Sequence, residues 1–511
     1  MKKTTGLKFL EIFTLHKTLV FLLLLILTAC GSDDKKKSVK PPPQLSGEQL
    51  FKEPFPKSNG RSCATCHVPE DNFTLTPAHV ARKLEENPSD PLFAAIDADD
   101  PTAAVLTFEH LKKGLVRVPL TLPDNMDVID EAGNVITPSN RTIFVWRSVP
   151  SIVDTAITAP YQLDGRMATL EDQAQGAIDG HSEGGTVLQG ELKRVADFQR
   201  DLFSSDRARS VANMLKDGVS LEKIPDVEDE LVLSPEELRG RVVYEAVCAA
   251  CHGGHNKTTI VDRHIHDLSF PALNSDGTVL YAVPTTVPPT PVLAAQPSNE
   301  FINIGSAAEN YLAIIGATEH VSFTKDVSFP QYRFRFYADA TRMEVIADLP
   351  PALPASAGNP DCGGNDGVGG PADGGDDGLG GDDGLGGDDG GGPVFGPAFD
   401  DDCNPITGPN FTPQLFTTDP GRAAITGNPY DFEAFDIPTM RGIAKTAPYW
   451  HNNISETLED VVELYSDHLL AKYPSLTQEG EKENDNDGDT GPEEALTRQQ
   501  KDDLLAYLKR L

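Results

Sequence analysis

A chain of 511 residues with 39% hydrophobic positions is too long for one ordinary domain and apolar enough for two, each with its own core. Its net charge of -35 argues against nucleic acid as a partner. Asp361 to Asp402 contributes -12 of that charge and Glu479 to Glu494 another -7, so the remainder is only mildly acidic.

Lys2, Lys3, Lys8 and Lys17 precede the apolar run Leu19 to Leu27, which ends in Leu27-Thr-Ala-Cys30-Gly. So short a run with basic flanks predicts a signal peptide over 1–29, not a spanning helix. The small residues before Cys30 resemble the lipobox of bacterial lipoproteins. That resemblance implies lipid on Cys30 and export to the periplasmic side of a Gram-negative bacterium. Gly31 and Ser32, with no Asp after the cysteine, imply the outer membrane; an ordinary cleaved signal is the alternative. Residues 30–45 follow as a tether, charged and proline-rich from Lys35 to Pro43.

Two units follow, over 46–230 and 231–511. Ser234-Pro-Glu-Glu237 is a capping-box start with Pro at the first helical position. Leu238, Val242, Val243 and Val247 then predict a helix leading into Cys248. Leu496, Leu504, Leu505, Leu508 and Leu511 predict an amphipathic C-terminal helix beginning near Thr497. Two stretches of the second unit cannot bury a core. One is the Gly/Asp-rich insertion 357–403, with Gly-Gly-Asp-Asp-Gly-Leu repeats between Gly374 and Gly392; the other is the acidic loop 476–494. Asp485-Asn-Asp-Gly-Asp489 alternates oxygens but lacks the glycine spacing of a calcium loop, and reads as solvated.

Cys63-Ala-Thr-Cys66-His67 and Cys248-Ala-Ala-Cys251-His252 are two copies of CxxCH. In such a run two thioether bonds pin a porphyrin edge while the adjacent His reaches the iron. Cys-x-x-Cys can instead hold zinc or run thiol redox chemistry, but zinc needs four ligands and neither motif has a second Cys pair nearby. Two copies in an exported chain predict two covalently bound haems c. Of the seven cysteines, Cys362 and Cys403 are then left over. An oxidising compartment favours a disulfide between them over two thiols, closing the neck of the Gly/Asp-rich insertion.

Further runs fall in order along the chain: Arg147-Ser-Val-Pro-Ser-Ile-Val-Asp-Thr-Ala, Gln162-Leu-Asp-Gly-Arg-Met-Ala-Thr-Leu-Glu-Asp-Gln173, Phe435-Asp-Ile-Pro-Thr-Met-Arg-Gly, Ala447-Pro-Tyr-Trp-His451 and Thr457-Leu-Glu459. With the two CxxCH sites, these resemble the bacterial dihaem cytochrome c peroxidase and MauG family over essentially all of the mature sequence outside the insertions. The resemblance implies a mainly α fold, with two cytochrome c-like haem domains in one chain joined to irregular loops and low-complexity insertions. His67 would hold a peroxide-reacting first iron and His252 an electron-accepting second one. Gln173 and Glu183 match the family's distal polar pair, in which a carboxylate moves a proton between the oxygens of bound peroxide.

Fourteen residues after His451, where the peroxidases carry a Met ligand, this chain has Tyr465, as MauG-type enzymes do. A phenolate stabilises ferric iron and lowers its potential. The alternatives are a core Tyr465 with Met343 or Met440 supplying sulfur. The family's inter-haem tryptophan falls at Leu163, for which Trp450, Tyr449, Tyr161 or Trp146 are the available substitutes. The family's Ca²⁺ site would use the carbonyls of Thr446 and Pro448, with Ser148 in place of its Asn. His79 and His110 lie where many of the peroxidases carry a removable His cap, but neither matches closely and each reads as exposed. His451 matches a position near the second haem, whereas His264 and His266 have no assigned role.

The leading reading is an oxidoreductase that reduces hydrogen peroxide to water with electrons from a small cytochrome or cupredoxin. A MauG-like oxidase of a protein or organic substrate is the rival enzyme. A non-catalytic dihaem electron carrier is the third reading.

Overall fold

The computed structural model describes residues 44–220, 223–249, 251–258, 301–303, 323–324, 326–350, 416–466 and 496–511. Its longer helices are α1 (Gly47–Lys52), α2 (Pro77–Glu86), α3 (Leu170–Ala177), α4 (Gln189–Arg200), α5 (Asp206–Lys216), α6 (Pro235–Val243), α7 (Leu458–Leu464) and α8 (Arg498–Leu508). The signal peptide, Cys30, the tether as far as Pro43, Cys362, Cys403, both low-complexity stretches, His264 and His266 lie outside the described residues.

Local capping sets the helix starts. Ser46 Oγ accepts from the Gln49 N–H while Gln49 Oε1 accepts from the Ser46 N–H, and Ser234 with Glu237 and Thr497 with Gln500 repeat the reciprocal arrangement. Two of these helices then cross a later helix by one and the same device. In α1 a Cβ on Gly47 would lie 2.0 Å from the Arg194 carbonyl oxygen of α4. Four residues on, Phe51 packs against Phe198 with ring centroids 5.2 Å apart. In α6 a Cβ on Gly240 would lie 1.8 Å from the Asp503 carbonyl oxygen of α8. Four residues on, Tyr244 meets Tyr507 at 5.5 Å. The Arg239 guanidinium grips the Asp503 carboxylate at 2.6 and 2.7 Å across that crossing.

The C-terminal helix packs on the helix before the second CxxCH, as the sequence predicts, with Val247, Leu504 and Leu508 buried in one cluster and Val243 against it, but two of the expected side chains face outward. Leu238 and Val242 are 52% and 66% exposed. The buried face is Gly240 and Tyr244, because the backbones approach too closely at Gly240 for an aliphatic side chain to fit between them. Gly240→Ala is expected to lower stability by about 1–3 kcal/mol through overpacking. A urea midpoint unchanged from wild type would contradict the close crossing.

Helices predominate among the described residues, but three small sheets accompany them. Strands β1 (Leu115–Thr121) and β3 (Thr142–Ser148) pair antiparallel, with Leu115 opposite Ser148 and Thr121 opposite Thr142. Strands β2 (Met126–Ile129), β5 (Arg333–Tyr337) and β6 (Val345–Leu349) form a second sheet, and β4 (Phe301–Asn303) pairs with β7 (Ala434–Asp436). Leu120, Met126, Val145, Phe334 and Phe336 fill a core of their own here. Separate clusters lie beside each CxxCH, one around Phe51 and Ile178 and one around Tyr244 and Leu504. The described residues from Ser46 to Leu511 form one compact unit. No helix among the described residues is long and apolar enough to cross a membrane.

Candidate functional site

The loop after β3 and the loop after β7 are two copies of one structure. Pro150 to Tyr161 and Pro438 to Tyr449 align without a gap, and both end in Thr-Ala-Pro-Tyr. Asp154 and Gly442 occupy matching left-handed positions (φ 65° and 70°), as do Gln162 and Trp450 (72° and 74°) and Gly165 and Asn453 (65° and 56°). The Tyr161 hydroxyl donates to the Thr155 carbonyl at 2.9 Å, and Tyr449 donates to Ile443 at 3.0 Å. In the same register Thr169 caps α3 and Thr457 caps α7, each accepting an N–H at 3.1 Å. The duplication puts equivalent walls beside the two CxxCH motifs, and a continuous cavity of about 460 Å³ is lined by Cys63, Cys66, His67, Cys248, Cys251 and His252.

Both histidines are held in the same way. His67 Nδ1 lies 3.1 Å from the Phe73 carbonyl, and His252 Nδ1 lies 3.1 Å from the Pro438 carbonyl. A carbonyl only accepts, so Nδ1 carries the hydrogen and Nε2 presents its lone pair to the cavity, the tautomer an iron ligand needs. Burial pushes both imidazoles down to about 4, so they stay neutral. Burial likewise pushes the thiols of Cys63 and Cys248 up to about 12 and that of Cys66 to about 11. Among the described residues no group of three or more His, Cys, Asp or Glu is gathered to hold a metal ion. The donor set fits two porphyrins.

The two pockets differ at one wall. Tyr465, which ends α7, lines the cavity and stacks on Trp450 with centroids 5.2 Å apart. Burial raises its phenol, and the nearby Cys251 and Cys248 thiols add to that. The residue of α3 in the same register is Ala177, which also lines the cavity. One step earlier on the helix face, Val461 of the second pocket corresponds to Gln173 of the first. The first pocket is therefore polar and open where the second is filled by an aromatic ring. Met440 lines the cavity two residues after the carbonyl that holds His252, and Met343 is 87% exposed and does not line it.

Gln173 is on the cavity wall, but Glu183 is not beside it. Glu183 is exposed, in a left-handed conformation (φ 52°), with Oε2 accepting from Asn59 Nδ2 at 3.2 Å. The cause is a wide helical turn over Ile178–Ser182 that continues α3 and ends at Glu183, rotating its side chain off the lining face. His181 of that turn lines the cavity instead. Sequence reasoning passed over it, although Gln173, Ala177 and His181 recur at four-residue helical spacing.

Between the motifs Arg147 is buried with two carboxylates, donating to Asp164 at 2.5 Å and to both oxygens of Asp419 at 2.6 and 2.9 Å. Ser148, Thr446 and Pro448 line the same cavity, and the Ser148 N–H donates to the His451 carbonyl at 2.6 Å. Leu163, Tyr161, Tyr449, Trp450 and His451 line it as well. Trp146 does not, being stacked on His110 with centroids 4.1 Å apart.

His79 and His110, expected to be exposed, are both 7% exposed and away from the cavity lining. His79 Nδ1 is 2.8 Å from Arg82 Nη2, and His110 bridges Asp99 at 2.6 Å and the Ser328 carbonyl at 3.0 Å. Each is held by local structural partners, which removes it from the capping role.

Residues 44–216 match the family model for di-haem cytochrome c peroxidase, so the family resemblance of the motifs holds over the first pocket. A cytochrome-c peroxidase, IdrP2, from Denitromonas iodatirespirans is 43% identical over 49 residues, a stretch spanning 10% of this chain and 13% of that protein. A MauG-like protein associated with microbial copper homeostasis is 16% identical, with TM-score 0.35 over 91% of this chain and 86% of that one. The diheme peroxidase BthA from Burkholderia thailandensis is 15% identical, with TM-score 0.30 over 90% and 84% of the two chains.

Proposed function

We propose that this chain, which matches the di-haem cytochrome c peroxidase family over residues 44–216, is a dihaem oxidoreductase that reduces hydrogen peroxide to water. Its electrons come from a small cytochrome or cupredoxin. Haem 1 is bound through Cys63, Cys66 and His67 in the unit 46–230, and haem 2 through Cys248, Cys251 and His252 in the unit 231–511. The observation that carries this reading is the pair of equivalent walls, one closed by Tyr465 and the other left open by Ala177.

When bound, the haems supply electron exchange and an iron able to take a peroxide oxygen. The chain's own residues do the rest. Phe73 and Pro438 carbonyls orient the two imidazoles so that Nε2 faces each iron. Ala177 leaves room for a small ligand, and Gln173 orients it by hydrogen bonding. Tyr465, on the cavity wall, would hold the second iron through its phenol oxygen, which would lower that iron's potential. The resemblance adds Ca²⁺ on the carbonyls of Thr446 and Pro448. On the lipobox, Cys30 anchors the protein to the outer membrane on the periplasmic side, and Cys362 with Cys403 closes the insertion.

A second reading, a MauG-like oxidase of a protein or organic substrate, is favoured by the stack of Trp450 on Tyr465, which offers an aromatic route outward from the second pocket. Protein matured in a host competent for cytochrome assembly distinguishes the two. Its intact mass should exceed that of the processed chain by two haems, and it should oxidise reduced cytochrome c with peroxide over many turnovers. A two-haem mass without sustained turnover would replace the first reading with the second.

A further inference from the structure

His181 belongs to the turn Ile178–Ser182 and faces the same cavity as Gln173 and Ala177. Its Nδ1 is sealed from solvent and has no hydrogen-bond partner among the described residues, while the residue itself lines the cavity.

Its backbone is fixed to the loop that carries the first CxxCH. The His181 carbonyl accepts from Asn59 Nδ2 at 3.0 Å and from Arg61 Nη1 at 3.3 Å, and the Asn59 N–H donates to the Ser182 carbonyl at 2.9 Å. Arg61 is itself buried, paired with Asp97 at 2.5 Å and donating to the carbonyls of Pro91 at 2.8 Å and Leu92 at 2.6 Å. His181 is thus braced against the loop of Cys63 and His67 by this frame, whereas the Glu183 carboxylate meets the same Asn59 from the exposed side at 3.2 Å and is absent from the cavity lining.

We propose that His181, rather than Glu183, is the hydrogen-bonding group at the open face of the first haem, accepting a hydrogen bond from a small protic ligand such as hydrogen peroxide. This rests on the first iron being the open one. A neutral imidazole on a braced turn can meet such a ligand without reorganisation, the condition under which a distal group is most effective.

The test uses the ferric two-haem protein and cyanide, which arrives as a weak acid and binds through a group able to accept its proton. Cyanide association at the first haem, followed in the Soret band, is expected to slow at least about tenfold in His181→Ala. His181→Gln should recover part of the rate, and Glu183→Ala should stay within about twofold of wild type. The proposal is overturned if Glu183→Ala carries the loss and His181→Ala does not. It is also overturned if His181→Ala converts a low-spin first haem to high-spin, since His181 would then be an iron ligand. Should His181→Ala fail to incorporate two haems, His181→Phe fills the space without the nitrogen and is read in the same way. Peroxide turnover is measured separately: wild type inert to peroxide but with His181-dependent cyanide binding would sink the peroxidase reading and leave this one standing.

Discussion

Ala177→Tyr is expected to close the first haem. In the duplicated frame Ala177 occupies the register of Tyr465, at the end of equivalent helices capped by Thr169 and Thr457. On the proposed ligation of the second iron by Tyr465, a tyrosine there would offer its hydroxyl to the first iron in the same way, and both irons would be six-coordinate. Peroxide could then react only with the fraction of molecules in which the ring has moved away. If that fraction is about 1%, the observed rate falls by about a hundredfold. Low-temperature electron paramagnetic resonance should lose its high-spin ferric signal, and stopped-flow mixing with peroxide should show the slower reaction. Ala177→Leu fills the space without offering oxygen, so it separates ligation from bulk: it should keep the high-spin signal. A high-spin signal in Ala177→Tyr as strong as in wild type would refute the equivalence of the two walls.

Arg147→Met should be the most destabilising change between the pockets, costing about 3–5 kcal/mol. Arg147 is buried with Asp164 and Asp419, and its removal leaves two carboxylates in the interior with one cation fewer. Met preserves much of the volume, so the loss is electrostatic and not a cavity effect. A fall in urea midpoint with unchanged slope is the expected result, and a change under about 1 kcal/mol would show that solvent reaches the network. Burial opposes the ionised form of Asp164, but Arg166 and Arg147 outweigh it and hold the carboxyl below the usual aspartate range. Its contribution to stability is therefore fully present above the ordinary aspartate pKa and is lost as pH falls through the lower, folded value. Arg147→Met should flatten that acid limb.

The parts legible in the sequence are those in which neighbouring residues act on one another along the chain. Ser234 with Glu237, and Thr497 with Gln500, mark helix starts because a hydroxyl and an amide or carboxylate three residues apart satisfy each other's N–H groups wherever the helix goes. The CxxCH spacing is likewise local, since one porphyrin edge and one iron must be reached from five consecutive residues. The correspondence of Tyr465 with Ala177 is also written in the sequence, in the two Thr-Ala-Pro-Tyr runs and the Thr-Leu-Glu-Asp runs that follow them. It gains chemical meaning only once both residues are seen to line one cavity.

Other features escaped because they depend on what arrives from far along the chain. Leu238 and Val242 have the right period for a buried stripe, yet the approach of the α8 backbone to Gly240 turns that stripe outward. The pairing of β2 with β5 joins Met126 to Phe336 across a long stretch of sequence, beyond the reach of any local pattern.

By itself the sequence determined two CxxCH attachment runs, their helix caps and the family they resemble, all consequences of short-range covalent and hydrogen-bonding geometry. Only the tertiary structure decided which side chains meet in the pocket: His181 inward, Glu183 out in solvent, and Arg147 between two aspartates. A single wide helical turn or a distant backbone carbonyl is enough to rotate a side chain from one environment to the other, and neither leaves a signature in nearby residues.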